Sequence, residues 1–217
     1  MERLADGIWR WTARHPEWHP GSWGAEVGCY ALTGGGRTVL IDPLAPEGDA
    51  GFWPRLDGVV TGEVVVLITI GYHLRSAEDV VARYPGTSVW GHRNVGRRMA
   101  DATAFRELAP QNTPAGVRAF AIGRPRRAEL PVLVESHAAL AFGDAVVGTD
   151  TGLRMWCNEP VDERRLRFYA ERFGPTLEPI LAEDVDAVLV THGPAVARDG
   201  RRALNDAITQ PPWYHRG

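Results

Sequence analysis

The sequence predicts a mixed α/β fold. Two observations carry that expectation. The apolar, β-branched run Val64–Thr69 stops at the polar turn Ile70–Arg75 and is followed at once by helix-starting signals. Several other short apolar runs are likewise cut off by Gly, Pro or charged residues, with helix-length segments between them. Open α/β sheets place ligands just beyond the carboxyl ends of their strands, so the turn carrying Tyr72, His73 and Arg75 is the first place to expect chemistry.

In chain order, Ile8–Ala13 alternates apolar and polar residues as an edge strand does. The next stretch, RHPEWHPGSWG, is too rich in Pro, Gly and aromatics to be regular and reads as a loop. It brings His15, Trp18, His19 and Trp23 together. Either this cluster lines a pocket mouth or binds metal, or its tryptophans cover the sheet edge while its histidines are solvated. Val27–Leu32 and Thr38–Ile41 flank a Gly-Gly-Gly turn and predict a hairpin. Those glycines are no dinucleotide fingerprint, because no helix follows and the spacing is wrong. Leu40-Ile41-Asp42-Pro43 ends the second strand, and Gly51–Leu56 is a short helical connection.

Ser76 and Asp79 read as a capping box opening a helix through about Tyr84, with Gly86 as its stop. Ser88–Gly91 is a short strand, Asn94–Leu108 has enough helix formers for a helix, and Pro110–Pro114 breaks the chain. Val117–Ile122 resumes a strand before Gly123-Arg124-Pro125-Arg126-Arg127, a turn that is an anion patch or simply solvated. Glu129–Val134 and Ala139–Phe142 are strands joined by the turn Glu135–Ala138, which makes His137 a surface residue. They lead to Gly143-Asp144, where the glycine is expected to serve a sharp turn. Asp162–Phe173 is a helix, Ala187–Val190 a buried strand ending in Thr191-His192-Gly193-Pro194, and Arg198–Ile208 a closing helix.

The totals limit the function. At 217 residues the chain suits one domain, 1–217, better than two. A net charge of -3 gives no electrostatic reason to expect nucleic acid or an anionic membrane as partner. No run approaches the ~20 apolar residues of a membrane helix, and the N-terminus lacks an apolar signal core, so a cytoplasmic protein is expected. Cys29 and Cys157 lack the spacing of a disulfide framework or a Cys-based zinc site and are expected to be buried thiols. No Gly-x-Ser-x-Gly element marks a nucleophile. Nothing in the sequence sets an oligomeric state.

Three motifs, Leu40-Ile41-Asp42-Pro43, Phe142-Gly143-Asp144 and Thr191-His192-Gly193, together with the element order, make the chain resemble the metallo-β-lactamase fold family. The resemblance covers almost the whole chain and implies an αββα sandwich of two mixed β-sheets with outer helices. In that family the turn after the central strand reads Thr-His-x-His-x-Asp-His and helps to hold one or two metal ions. Laid ungapped on Thr69, the ligand positions fall on Ile70, Tyr72, Leu74 and Arg75, and His73 is a spacer. A later ligand histidine is replaced by Arg124. Only Asp144, the family's metal-bridging carboxylate, and His192, its last ligand, match. The loop holding Trp18 and Trp23 is, by the same resemblance, the one over the active site.

Two surviving ligands are too few for zinc, and Arg75 and Arg124 would set fixed positive charges beside any cation. The sequence therefore predicts no metal cofactor, with an arginine, Arg75 or Arg124, as the counter-charge of Asp144. The best expectation is a divergent member with an eroded metal site. Its inherited pocket is expected to bind a small anionic ligand through Tyr72, Arg75, Arg124, Trp18 and Trp23. The alternative is a hydrolase of a small ester, thioester or amide, metal-independent or with an unconventional metal site. Its candidate catalytic residues are His73, Asp144 and His192, with a histidine as general base and the arginines stabilising an oxyanion.

Overall fold

The structure is a computed structural model that describes residues 1–19 and 24–214. Strands β1 (Glu2–Ala5), β2 (Ile8–Arg14), β3 (Glu26–Gly34), β4 (Arg37–Ile41), β5 (Glu63–Ile68), β6 (Ser88–Gly91) and β7 (Phe105–Glu107) form one sheet in sequential order. The sheet is antiparallel from β1 to β4 and parallel from β4 to β7. A second sheet has the order β13 (Ala187–Val190), β10 (Ala139–Phe142), β9 (Val132–Val134), β8 (Val117–Ala119). There β10 and β13 run parallel and the other neighbours antiparallel. A separate ribbon pairs β11 (Val146–Thr149) with β12 (Gly152–Met155).

Alternation along the strands builds the layers. In β5, Val65 and Leu67 face the second sheet and pack with Val132, Val134, Ala139, Ala141 and Leu189. Val64, Val66 and Ile68 face the opposite side, with Phe52 and Leu56 of α1 (Phe52–Asp57) and Ala77 and Val80 of α2 (Ala77–Arg83). The outer face of the second sheet, with Leu140, Phe142, Val188 and Val190, is covered by the helical segment 163–182 and by the closing helix 200–209. Strands buried on both faces read as unbroken apolar runs, which is why β5 and β13 were conspicuous in the sequence. The result is the expected sandwich of two mixed sheets between helical layers.

Several local expectations are corrected. The segment Ile8–Ala13 is not the sheet edge, because Glu2–Ala5 pairs outside it. Ser76 does not close a capping box. Its hydroxyl accepts from Ala45 N instead, at 3.1 Å, tying the helix start to the chain after β4. Asn94–Leu108 is not one helix: a single helical turn, α3 (Arg93–Gly96), gives way to β7. A Cβ on Gly96 would lie 2.6 Å from the Phe105 ring, so the chain folds back there and Phe105–Glu107 pairs parallel with β6, a tertiary contact that overrides local propensity. The helix expected over Asp162–Phe173 is α4 (Glu163–Phe168) followed by a wider turn to Phe173, and the last helix is α5 (Gly200–Thr209). The ribbon β11–β12 was not anticipated. Cys29 and Cys157 are both buried and free. Among the described residues no helix is long and apolar enough to cross a membrane.

Candidate functional site

Four turns at the carboxyl ends of β4, β5, β10 and β13 deliver Asp42, His73, Asp144 and His192 to one place. Asp42 follows β4 with a positive φ of 46° and is buried. Its carboxylate accepts from Thr69 N (2.9 Å) and Thr69 Oγ1 (2.5 Å) and faces His73 Nδ1 at 2.9 Å. This fixes the His73 ring, itself 2% exposed, so that Nε2 points at Asp144 Oδ1, 3.7 Å away. The turn bearing His73 is closed by its own N–H on Ile70 O and braced from outside by Arg98 on Gly71 O.

Asp144 is the centre of the site. Tyr72 donates its hydroxyl to Oδ2 at 2.9 Å, and His192 Nε2 faces Oδ1 at 3.5 Å. Burial works against the Asp144 charge, but the facing His192 imidazole, His73 and Arg126 hold its carboxyl well below the usual carboxylate range. Burial and the neighbouring Asp144 charge push the Tyr72 phenol upward, so Tyr72 stays a donor. The His192 turn is anchored across the sandwich: Tyr30 of β3 donates to Val190 O (2.7 Å), Gly28 N to Thr191 O (2.7 Å), and Arg10 to Gly193 O (3.2 Å).

Glu129 supports Asp144 from below. Its Oε1 accepts from Gly143 N (2.9 Å) and Ala145 N (3.0 Å), clamping the backbone on either side of Asp144. The side chain is fully buried, and burial together with the Asp144 charge raises its pKa to about 8. Gly143 is required here by space and not by a sharp turn. A Cβ would meet Thr69 Oγ1 at 2.8 Å, Ile70 at 3.1 Å and Glu129 at 3.3 Å.

A cleft of about 180 Å³ opens over these groups, lined by His15, Glu17, Trp18, Gly24, Tyr72, His73, Asp144, Trp156 and His192. Its Trp156 wall is stacked by Arg126, whose guanidinium carbon lies 4.6 Å from the ring centroid. Two Arg126 nitrogens, Nε and Nη2, are buried without a hydrogen-bond partner among the described residues.

The structure thus brings Tyr72, His73, Asp144, His192 and Trp18 together and redistributes the arginines. Arg75 does not pair with Asp144: it donates to Asp42 O at 3.2 Å, behind His73. Arg124 is exposed and lines a different cleft, so it cannot be the counter-charge of Asp144. Arg126, two residues on, is the arginine beside the carboxylate. Trp23 lies outside the described residues. His15 lines the cleft, whereas His19 is exposed and His137 sits half-buried at a remote turn, with Nε2 3.2 Å from Thr33 O. Sequence reasoning missed Asp42, Arg126, Glu129 and Trp156 as site residues. No signal marked Glu129, which follows Arg126-Arg127-Ala128 at the head of the apolar segment Leu130–Val134.

Zinc or a similar ion needs three or four converging N, O or S donors. Among the described residues no group of three or more His, Cys, Asp or Glu is arranged to hold one. Two further observations oppose a two-ion centre. The Tyr72 hydroxyl donates to Asp144 Oδ2, and Ile70 and Leu74 supply no donor at two of the family's ligand positions. The residues present do not fit that centre.

No family model and no curated protein matches the sequence. Solved structures do match the fold. A metallo-β-lactamase from Erythrobacter litoralis with β-mercaptoethanol in its active site aligns with a TM-score of 0.62 at 14% identity, over 95% of this chain and 94% of its own. The DIM-1 metallo-β-lactamase exposed to ceftazidime aligns with a TM-score of 0.64 at 11% identity, over 95% and 94%. The Flv1 flavodiiron core from Synechocystis aligns with a TM-score of 0.64 at 14% identity, over 96% of this chain and 59% of that one. The chain has the metallo-β-lactamase fold.

Proposed function

We propose that this metallo-β-lactamase-fold chain is a divergent descendant whose pocket works without the two-ion centre and holds a small anionic ligand. The observation that carries the reading is Arg126, stacked on the cleft wall with two buried N–H nitrogens unpaired among the described residues. A desolvated guanidinium presents a donor fork suited to a carboxylate or phosphate. Arg126 and Arg75 stand near Asp144 and Asp42, and Glu17, exposed to solvent, is the further carboxylate in the lining. The reading extends to a cytoplasmic, one-domain protein whose partner is a small molecule, with neither nucleic acid nor membrane implied by the net charge of -3.

The test is a thermal-shift and calorimetric screen of small carboxylates and inorganic phosphate at low millimolar concentration. Saturable binding lost in Arg126→Gln supports the reading. Absence of any saturable binding, or binding indifferent to that substitution, refutes it.

The Asp42–His73 pair favours a second reading, a metal-independent hydrolase. An imidazole whose Nδ1 is fixed by a buried carboxylate and which lines the cleft beside Asp144 is arranged as a general base. Nε2 would take a proton from a water attacking an ester or thioester carbonyl and return it to the alcohol or thiol that leaves as the acyl C–O or C–S bond breaks, with Arg126 hydrogen-bonding the developing oxyanion. Chelator-resistant ester hydrolysis that disappears in His73→Gln would support this reading over simple binding.

A further inference from the structure

The five-residue turn Gly123–Arg127 divides its arginines. Arg126 stacks on Trp156, a wall of the Asp144 cleft, while Arg124 and Arg127 line a second cleft of about 450 Å³, more than twice the volume of the first. Its other walls are Pro125, Cys157, Asn158, Glu159, Phe168 and Tyr169, with Arg165 at its rim. Arg165 is already paired, with Glu159 and with Asp162. Arg124 and Arg127 have no acidic partner among the described residues. The apolar wall is fixed: Tyr169 stacks edge-on against both Phe168 (5.7 Å) and Phe173 (5.2 Å), and its hydroxyl donates to Trp156 O at 2.8 Å. A preformed aromatic wall facing two unpaired guanidinium groups is complementary to one class of molecule, a ring carrying a compact anion.

We propose that this second cleft is a binding site for an aryl or similarly flat organic anion, its ring against Phe168 and Tyr169 and its phosphate or carboxylate between Arg124 and Arg127. This site is separate from the Asp144 cleft. Among the described residues the two clefts have no lining residue in common, Trp156 bordering the first and Cys157 the second. Trp156 lines the first cleft, with its ring 6.1 Å from that of His192, and its carbonyl is held by Tyr169 of the second. The inference does not depend on what the Asp144 cleft binds.

The probe is 1-naphthyl phosphate, measured by calorimetry on the whole protein, with inorganic phosphate and 1-naphthol as comparators, each measured also in Arg126→Gln so that phosphate held in the Asp144 cleft is not counted. Both halves of the probe should be needed, so each comparator should bind about tenfold or more weakly. Arg124 and Arg127 are exposed, so R124Q/R127Q should fold normally and weaken naphthyl phosphate by about tenfold or more. Phe168→Ala should weaken it too, whereas Arg126→Gln should leave it within about twofold, which separates this site from the first. Naphthyl phosphate binding that survives R124Q/R127Q, that is lost with Arg126→Gln, or that is no tighter than inorganic phosphate would overturn the proposal.

Discussion

Replacing Glu129 by Gln removes a charge from beneath Asp144 while keeping the acceptor that clamps Gly143 N and Ala145 N. Because the folded protein raises this carboxyl from 4.5 to about 8, the native state binds more protons than the unfolded chain between those two values. Wild-type stability should therefore fall as pH rises through that window and level off above it. At ~1.4 kcal/mol per tenfold change in proton affinity the upper limit is about 5 kcal/mol, and relaxation around the ionised pair should reduce it to about 2–4 kcal/mol. E129Q carries no such dependence. Urea unfolding of both proteins between about pH 5 and about pH 9 should show E129Q gaining that amount relative to wild type, or roughly 5–15 °C in melting temperature for a chain of this size. Other ionisable groups are common to both proteins and cancel to first order. A stability difference that stays flat across the window, or moves in favour of wild type, would refute the placement of a neutral Glu129 beside an ionised Asp144.

Other substitutions probe the rest of the site. Tyr72→Phe leaves Asp144 Oδ2 without its donor and should cost about 1–3 kcal/mol in chemical unfolding, with the penalty reduced in a Tyr72→Phe/Asp144→Asn double variant. Asp42→Ala strips partners from His73 Nδ1 and from both Thr69 groups at once and should cost about 3–5 kcal/mol. A change below about 1 kcal/mol would mean the turn does not depend on Asp42. Gly193 has a φ of 79°, and a Cβ there would lie 2.0 Å from Gly148 O. Gly193→Ala should therefore displace the His192 turn and lower the melting temperature sharply, whereas Gly86→Ala, with a similar φ of 87° and open space around it, should cost only the modest penalty of the left-handed backbone.

The layers were readable in the sequence because burial on both faces leaves continuous apolar runs, and the strand ends because Asp42, Asp144 and His192 each stand within two residues of the end of such a run. What could not be read was side-chain direction within turns. Arg124, Arg126 and Arg127 are equivalent in composition, yet it is Arg126 whose charge acts on Asp144, while the other two line the second cleft. His73 falls on a spacer position of the family turn. Its place in the site depends on Asp42 Oδ2, a partner 31 residues earlier in the chain. The helix expected over Asn94–Leu108 failed for a similar reason. Pairing of Phe105–Glu107 with β6 is a long-range gain that local helix propensity does not register.

The central claim is that tyrosine, imidazole and guanidinium groups surround Asp144 in place of bound metal ions. Elemental analysis by mass spectrometry tests it most directly, on protein purified without chelator and again after equilibration with zinc, iron and manganese followed by desalting. The account expects retained metal far below one ion per chain, with no change in Asp144→Asn or His192→Ala. One or two ions retained per chain, and lost in either variant, would contradict it.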